Sequence, residues 1–397
     1  MTQLWAGFAT STLAATEAAV ADAVHRARAQ LDGREPGLAL ITATVEHAAT
    51  RVFAAARAAL PAVPLHGVTT SLGVLTSDGV IAGSDGVVGV LLLAAEGNIG
   101  FAVGHAALGS DARAAGRAAA EQLLAAPLPP RVILFNSSPG REEDTLLGVA
   151  DVLPGVPAFG GSAADHAIVG EWSVFTSAGA ERDAVSLAAL CGDIAFAGAL
   201  QAPYVETAAQ ATVTAARDRR LQSLDREPAA AVLNRWLDDG LSGQLAEGGN
   251  ILAQTALRPL AVRHQADSGQ HHVTIHPAFI HPEDGSIDLF ARIAEGDQLC
   301  LMSGTVEALT QVLADLHAQT SARLAPEKTR AALLIYCAGC AGAVGPELDQ
   351  ALRARLRPLL KDIPLLGLCT FGEQGHIPGL GNVHQDLSVS LLLLGEP

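Results

Sequence analysis

Small hydroxyl, amide and glycine residues follow several apolar runs of this sequence. Such residues offer hydroxyl groups and closely approachable backbone N–H groups at strand ends, where open α/β sheets bind ligands. They suit a small polar ligand, such as an amino acid or a carboxylate, held by main-chain amides. The alternative is that they only form turns. The predicted ligand-binding residues of these loops are Thr69, Thr70, Ser71, Asn136, Ser137, Gly161, Ser162, Thr370, Phe371 and Gly372.

Glu373 directly follows the last of these loops, and His384 lies shortly before the final apolar run. A carboxylate at position 373 could bind a ligand ammonium group or act as a general base, or it could cap the turn. The imidazole of His384 could serve the same site or fix its own loop by hydrogen bonds. We include both residues in the predicted ligand site.

Cys337 and Cys340 form a C-x-x-C motif between a predicted strand and a predicted helix. A helix N-terminus lowers the pKa of a thiol, so the motif is compatible with a redox site or with a nucleophilic Cys337. One such motif is a weak signal, and a structural zinc site would need a second pair of ligands. Cys337 also belongs to the predicted ligand site, because it ends an apolar run.

Histidines offer a second kind of chemistry. Five of them cluster at His264, His271, His272, His276 and His281. His105 stands at the end of another predicted strand, and a neutral imidazole is a common ligand of metals and of haem iron. A metal or haem sensor that uses His105, His384 or the histidines at 271–281 is therefore an alternative interpretation. The simpler interpretation is a polar strand face near solvent.

Motifs of several large enzyme classes are missing from the sequence. There is no G-x-x-x-x-G-K-[ST] phosphate loop, and Gly379 and Gly381 are not followed by the third glycine of a dinucleotide fingerprint. Gly160 to Ala164 departs from the nucleophile-elbow pattern at its last position. We therefore expect binding rather than catalysis, and an enzyme using Glu373 or Cys337 remains a further alternative.

The elements that must position these residues recur in three copies. Each copy reads as an α/β unit of the type βαβαββ, at about 4–95, 99–192 and 298–395. Alternating strands and helices predict mixed, mainly parallel sheets. Residues 194–297 do not fit the pattern and read as a smaller inserted α+β module. The predicted domains are therefore 1–193, 194–297 and 298–397.

Composition narrows the class of protein. The 397 residues include 25 Lys and Arg against 41 Asp and Glu, a formal net charge of −16. Such an acidic chain without a basic cluster is a poor partner for nucleic acid or anionic membranes. Its apolar runs are too short to span a bilayer, and its first residues lack a basic segment followed by an apolar one. Five cysteines fit a reducing compartment, so a cytoplasmic location is predicted.

The motifs resemble those of the FIST family of sensory domains. The similar segments include GVTTSLGVLTSDG at 67–79, Gly-Gly-Ser at 160–162, LQSLDREPAAAVL at 221–233, EDGSIDLFARIAEGDQLCLM at 283–302 and PLLGLCTFGEQG at 364–375 with the later His384. The resemblance covers nearly the whole chain. It implies an N-terminal part at 1–193 and a C-terminal part at 298–397.

The resemblance also implies a function. It implies a domain that senses small molecules such as amino acids and signals to kinases, cyclases or chemotaxis proteins. Some members of the family look like haem-binding nitric-oxide sensors. For this chain we expect an intracellular sensor of an amino-acid-like or other small polar ligand, acting through a separate partner. The cofactor is left open, with haem as the candidate.

Overall fold

The computed structural model describes residues 2–266, 269–360 and 362–397. The helices are α1 (Thr16–Arg28), α2 (Ala49–Ala59), α3 (Ala112–Leu123), α4 (Glu142–Val152), α5 (Ala229–Trp236), α6 (Ser242–Glu247), α7 (Leu252–Thr255), α8 (Val306–Ser321), α9 (Ala338–Val344), α10 (Glu347–Arg355) and α11 (Arg357–Leu360), with short 3-10 turns at Ala29–Leu31 and Pro326–Lys328. No helix in these ranges is long and apolar enough to cross a membrane.

The strands fall into four sheets. They are β1 (Gln3–Ser11), β2 (Leu38–Ala43), β3 (Leu65–Thr69), β4 (Val74–Thr76), β5 (Gly79–Ile81), β6 (Val88–Glu96), β7 (Ile99–Ala107), β8 (Pro130–Ser137), β9 (Ala158–Ser162), β10 (Val174–Phe175), β11 (Ala180–Glu181), β12 (Ala184–Gly192), β13 (Ala195–Gln201), β14 (Val205–Arg217), β15 (Arg220–Leu224), β16 (Glu227–Pro228), β17 (Gly249–Asn250), β18 (Leu260–Ala266), β19 (Gly269–Ile275), β20 (Pro277–His281), β21 (Ser286–Leu289), β22 (Gln298–Ser303), β23 (Thr329–Cys337), β24 (Leu365–Thr370), β25 (Glu373–Ile377), β26 (Gly381–Gln385) and β27 (Val389–Gly395).

Three of the sheets have six strands each and share one plan. Their orders begin β1-β6-β2-β3, β7-β12-β8-β9 and β13-β27-β23-β24. In each, the last strand of the unit inserts between the first and the second strand and runs antiparallel to both. The mixed α/β fold is thus confirmed, but the prediction of mainly parallel sheets is wrong. The parallel pairs found in these three sheets are β2 with β3, β8 with β9 and β23 with β24.

Each of these sheets is completed by a hairpin from another unit. The β4–β5 hairpin of the first unit pairs with β24 of the third, and the β10–β11 hairpin of the second pairs with β3 of the first. The β25–β26 hairpin of the third unit pairs with β9 of the second. The exchange is cyclic and closes the three sheets into what we call the ring.

The third unit is interrupted. After its outer strand, β13, the chain leaves the ring and forms a separate module at residues 205–303, which we call the insert. It returns to the third ring sheet with α8, which packs on β13 and β27. The apolar run at Gln298–Ser303, predicted to start the third repeat, is a strand but pairs with β14 and β18 in the nine-stranded sheet of the insert.

The core has an inner and an outer layer. The inner faces of the three ring sheets meet in one buried cluster that includes Leu40, Leu134 and Leu333. The outer faces of the same strands pack on helices, as Ile41 does on α1 and α2. Strands such as β2 are therefore buried on both sides, which explains their continuous apolar sequence. The insert has a separate core.

Candidate functional site

The ends of the central strands of all three ring sheets meet at one place. Backbone hydrogen bonds join them in pairs: Ser71 N–H donates to Cys369 O over 3.0 Å, and Ser162 N–H donates to Gly372 O over 3.0 Å. Ala164 N–H donates to Thr69 O over 3.0 Å and completes the circle. The loops predicted from the sequence to face a common site are therefore in direct contact.

A cavity of about 740 Å³, the main cavity, lies above these interlocked loops. Its walls come from the ring, and the insert contributes the opposite side. Most of its lining is apolar, with a few polar groups, as is usual for small-molecule sites. The lining from the ring is Ser71, Leu72, Pro139, Gly140, His166, Ile168, Trp172, Cys337, Ala338, Gly339, Gly342, Ala343, Thr370, Phe371, Gly372 and Asp386, and the insert adds Arg219, Leu252, Ala253, Ala256, Leu257, His276 and Phe290.

Five predicted site residues line the main cavity: Ser71, Cys337, Thr370, Phe371 and Gly372. Sequence reasoning placed them there because each ends or follows an apolar strand. Phe371 also packs edge-on against Trp172, with ring centroids 6.2 Å apart. Their contact with a ligand remains a prediction.

The other predicted site residues lie in the layer beneath the cavity. They are Thr69, Thr70, Asn136, Ser137, Gly161, Ser162, Glu373 and His384, all buried. Several of them hold the loops together: Thr70 Oγ1 accepts from Cys369 N–H over 2.8 Å, and Asn136 Nδ2 donates to Gly161 O over 2.8 Å. These residues support the floor rather than line it.

Glu373 accepts three hydrogen bonds under that floor. Thr370 Oγ1 donates to Oε1 over 2.9 Å, and the N–H and hydroxyl of Ser388 donate to Oε2 over 3.1 and 2.9 Å. Burial, together with the nearby Cys337, raises the pKa of Glu373 well above its usual range. The side chain is thus a buried brace between two segments, in agreement with its alternative interpretation as a turn cap.

Cys337 directly precedes α9, but its thiol does not have the lowered pKa that the C-x-x-C motif suggested. Its hydrogen bond with Cys340 and its burial raise the pKa of the Cys337 thiol well above the ordinary value. A nucleophilic or redox-active cysteine needs the opposite shift. The two cysteines are free in this structure.

A charged cluster occupies the side of the main cavity where the insert meets α4. Arg219 Nη2 contacts Glu142 Oε2 at 2.6 Å and Glu143 Oε2 at 2.5 Å, and Nη1 donates to Phe290 O over 2.5 Å. Burial alone would raise the pKa of Glu142, but His384, Arg219 and a hydrogen bond from Ser162 lower it. Arg219 thus ties the insert to the ring through an ion pair in which Glu142 and Arg219 are both charged.

Asp386 is the acidic group that faces the main cavity. Its Oδ2 accepts the His276 N–H over 3.0 Å, and its Oδ1 lies 3.7 Å from His384 Nε2, beyond hydrogen-bond range. Burial raises the pKa of Asp386 to about 6, although His384, the His276 N–H and Arg219 act in the opposite direction. Asp386 is therefore mainly ionised at neutral pH while being only 2% exposed.

Sequence reasoning missed Asp386, Arg219, His276 as a wall residue, and Trp172. Arg219 belongs to the most charged stretch of the chain, which reads as a surface turn. The available signal for Asp386 was a lone acid directly before an apolar strand, a position where a charge must find a specific partner.

The histidines considered for haem or metal lie on different elements: His105 on β7, His384 on β26, and the group at 271–281 on and between β19 and β20. His105 lies on β7, the edge strand of its sheet, where its backbone bonds to Gln122 of α3. The His384 ring lies within 3.0 Å of Gln374 Nε2 at Nδ1 and 3.5 Å from Phe290 O at Nε2.

Within the histidine cluster, the Glu206, His272 and Cys300 side chains approach within 4.8 Å of one another. However, Arg263 already bonds to Glu206, and burial raises the pKa of Cys300 to about 11. A metal ion would have to displace the guanidinium group and ionise that thiol, so this group does not fit a metal.

Comparison with known proteins identifies the family. The profile of the FIST N domain matches residues 37–227, and that of the FIST C domain matches residues 229–376. The chain belongs to the FIST family. The junction of the two matches falls inside the insert. Residues of both matches line the main cavity. FIST domains are associated with signal transduction.

No curated protein matches this FIST chain. Among solved structures, a cyanuric acid hydrolase from A. caulinodans is 14% identical, covers 47% of this chain and 71% of its own, and has a TM-score of 0.27. A second cyanuric acid hydrolase structure is 9% identical over 100% of both chains, with a TM-score of 0.32. PurL of T. maritima complexed with ADP is 10% identical, covers 100% and 72%, and has a TM-score of 0.25. These similarities are too weak to support a statement about activity.

Proposed function

We propose that this FIST protein is a sensor that binds a small molecule in the main cavity and signals to a separate partner. The observation that carries the proposal is the cavity itself: about 740 Å³, bordered by loops of all three ring units and by the insert. A ligand there would touch both bodies at once. Membership in a family associated with signal transduction supports the same function.

The contacts between ring and insert supply a route for the signal. Acidic residues in the first turn of α4 bind two arginines of the insert: Glu142 and Glu143 bind Arg219, and Asp144 binds Arg292 through two hydrogen bonds of 2.8 and 2.5 Å. Because Arg219 both lines the main cavity and joins the insert to the ring, a ligand that favours one position of the insert shifts its equilibrium. The exposed surface of the insert then presents the change to a partner of the kinase, cyclase or chemotaxis type.

The chemistry of the site supports binding over catalysis. Glu373 is braced by three hydrogen bonds beneath the floor, and the pKa of Cys337 is raised instead of lowered. The two side chains considered for an enzyme are thus poor candidates for a base and a nucleophile.

Gly342 provides a test that leaves the fold intact. It lies in α9 on the cavity wall, and a Cβ added there meets no atom within 4 Å. We expect Gly342→Trp to obstruct the cavity without loss of stability, because replacing a helical glycine usually favours the helix. The matched control is Gly243→Trp, in the exposed helix α6, where a Cβ is equally free.

The measurement is untargeted mass spectrometry of small molecules released from the purified full chain. A metabolite should accompany the wild type and the Gly243→Trp variant and be lost from the Gly342→Trp variant. Retention of every released metabolite by Gly342→Trp would contradict the proposed function.

A further inference from the structure

The charges around the main cavity are unbalanced toward acid. Among the described lining residues, Arg219 is the only arginine and there is no lysine. Two carboxylates, those of Glu142 and Glu143, already bind Arg219. Asp386 adds a third carboxylate. Arg219 is thus committed to two carboxylates and Asp386 is a further negative charge, so an anionic ligand group would find no uncommitted arginine or lysine among the described lining residues.

The histidines of the wall do not supply one. His276 is fully enclosed, and burial lowers its pKa to about 4, so its ring is neutral at physiological pH. Its Nε2 faces the carbonyl oxygen of Leu252 at 3.1 Å. His166 is already engaged at both ring nitrogens: Nε2 pairs with Glu46 over 2.9 Å, and Nδ1 accepts the Leu72 N–H over 3.2 Å.

Asp386 is poised to accept from a ligand. One of its oxygens is held by the His276 backbone, and the other, Oδ1, has the His384 ring at 3.7 Å without a hydrogen bond. A carboxylate buried in this way gains most from a charged donor placed at hydrogen-bond distance.

The rest of the lining is apolar. Leu252, Ala256 and Leu257 of the insert face Ala338 and Phe371 of the ring, and Trp172 stands edge-on to Phe371. These side chains suit a hydrocarbon or aromatic body, and the aromatic rings tolerate a nearby cation.

We propose that the ligand of the main cavity is an amine with an apolar body, whose ammonium group binds the Asp386 carboxylate while the body lies between the insert and Phe371. This inference rests on the proposed function, since it assumes that the cavity binds a small molecule. It replaces the amino-acid or carboxylate ligand expected from the sequence, because a ligand carboxylate would meet the acidic cluster.

The test is isothermal titration calorimetry of the full chain at pH 7.5 with three probes of similar skeleton. They are 2-phenylethylamine, the anion 3-phenylpropanoate and zwitterionic phenylalanine. We expect the amine to bind, and to bind at least about tenfold more tightly than either of the others, since a charge-assisted hydrogen bond is worth at least that factor.

Two variants assign the binding to the cavity. Asp386→Asn keeps an acceptor for the His276 N–H but removes the charge, and it should weaken amine binding by about tenfold to a hundredfold. Asp193→Asn, an exposed position, should leave the affinity unchanged, and Gly342→Trp should abolish binding.

The outcomes separate this inference from the proposed function. Tighter binding of 3-phenylpropanoate or phenylalanine, no binding of 2-phenylethylamine, or equal amine affinity in Asp386→Asn would each overturn the amine assignment. In any of these cases, a co-purified metabolite that is lost in Gly342→Trp would still uphold the proposed function.

Discussion

At the residue scale, Asp386 combines a binding role with a cost in stability. Its pKa is raised from 3.8 in the unfolded chain to about 6, mainly by burial, while His384 and Arg219 oppose the shift and Glu142 adds to it. The folded protein therefore binds more protons than the unfolded chain between those values, and the free energy of unfolding falls as pH rises through that window. Above pH 6 the whole penalty, about 3 kcal/mol, is present.

We therefore predict that Asp386→Asn stabilises the protein by about 2–3 kcal/mol at pH 8, measured by urea unfolding. The gain should shrink toward zero at pH 3, below both pKa values, where the wild-type carboxyl is mostly protonated in the folded and in the unfolded state. The control Asp193→Asn should stay within about 0.5 kcal/mol of the wild type. A loss of stability at pH 8 in Asp386→Asn would show that the ionised carboxylate is a structural anchor instead.

A second prediction concerns His66, which borders a small cavity of about 30 Å³ between the three ring sheets. Burial lowers its pKa from 6.5 to about 3, and its Nδ1 is 2.9 Å from Ser186 Oγ. The folded state thus resists a proton that the unfolded chain accepts, so stability is lost as pH falls below 6.5.

Comparing His66→Asn with the wild type should reveal this contribution. The difference in unfolding free energy between them should be constant above pH 7 and should move by about 2 kcal/mol in favour of the variant between pH 6.5 and pH 5. Parallel stability curves for the two proteins across this range would contradict the assignment.

At the element scale, Gly67 of β3 and Gly160 of β9 are required by the close approach of neighbouring strands. An added Cβ at Gly67 would lie 1.8 Å from Ile41 O, and one at Gly160 would lie 1.7 Å from Phe135 O. Both carbonyl groups belong to the neighbouring parallel strand. The glycines therefore allow β3 and β9 to approach β2 and β8 where the chain turns toward the site.

We predict that Gly160→Ala lowers the free energy of unfolding by about 3 kcal/mol or more, because backbone atoms cannot move aside as side chains can. Gly100→Ala, within β7 of the same sheet, is the matched control: its Cβ would meet Leu128 at an ordinary 3.6 Å. Thermal unfolding of both variants gives the comparison, and equal stabilities would refute the steric explanation.

Which strands pair, and whether they run parallel or antiparallel, could not be predicted from the sequence. Alternation of strands and helices correctly suggests that β1 and β2 point the same way, yet β6 lies between them and pairs with both. The apolar content of β6 is the same whichever way it runs. Nor do local residues distinguish Ala195–Gln201, the outer strand of the third sheet, from the similarly apolar Gln298–Ser303, because partner choice depends on distant chain segments.

At the scale of the whole molecule, the cyclic exchange of hairpins makes each ring sheet depend on another unit. We predict that the ring opens as one cooperative body. In native-state hydrogen exchange, the amides of β2, β8 and β23 should share a single opening free energy, and those of the insert hairpin β18–β19 should exchange at a lower one. Three distinct free energies for the three central strands would contradict this.

At this scale the sequence predicted that the loops at the strand ends lie together, but it did not predict that the insert forms the opposite wall of the main cavity. Regular spacing of apolar runs brought Ser71, Cys337 and Thr370 to one place, because equivalent strands end at equivalent edges. The roof depends on how the insert docks, which is decided by ion pairs such as Arg219 with Glu142 that are far apart in the chain. The charges that define the ligand class therefore became visible only in three dimensions.

The borrowed hairpins also say something about ancestry. A chain of one unit alone would leave a sheet edge unpaired and a hairpin without a partner strand, so it could complete its sheet only against other copies, all with identical loops. Fusing the copies into one polypeptide preserves the cyclic exchange of hairpins and allows the cavity-lining loop of each unit to change independently. Here the first unit contributes Leu72 to the cavity, the second Trp172 and the third Phe371. A symmetric assembly of identical units could not provide such an asymmetric surface for an asymmetric ligand.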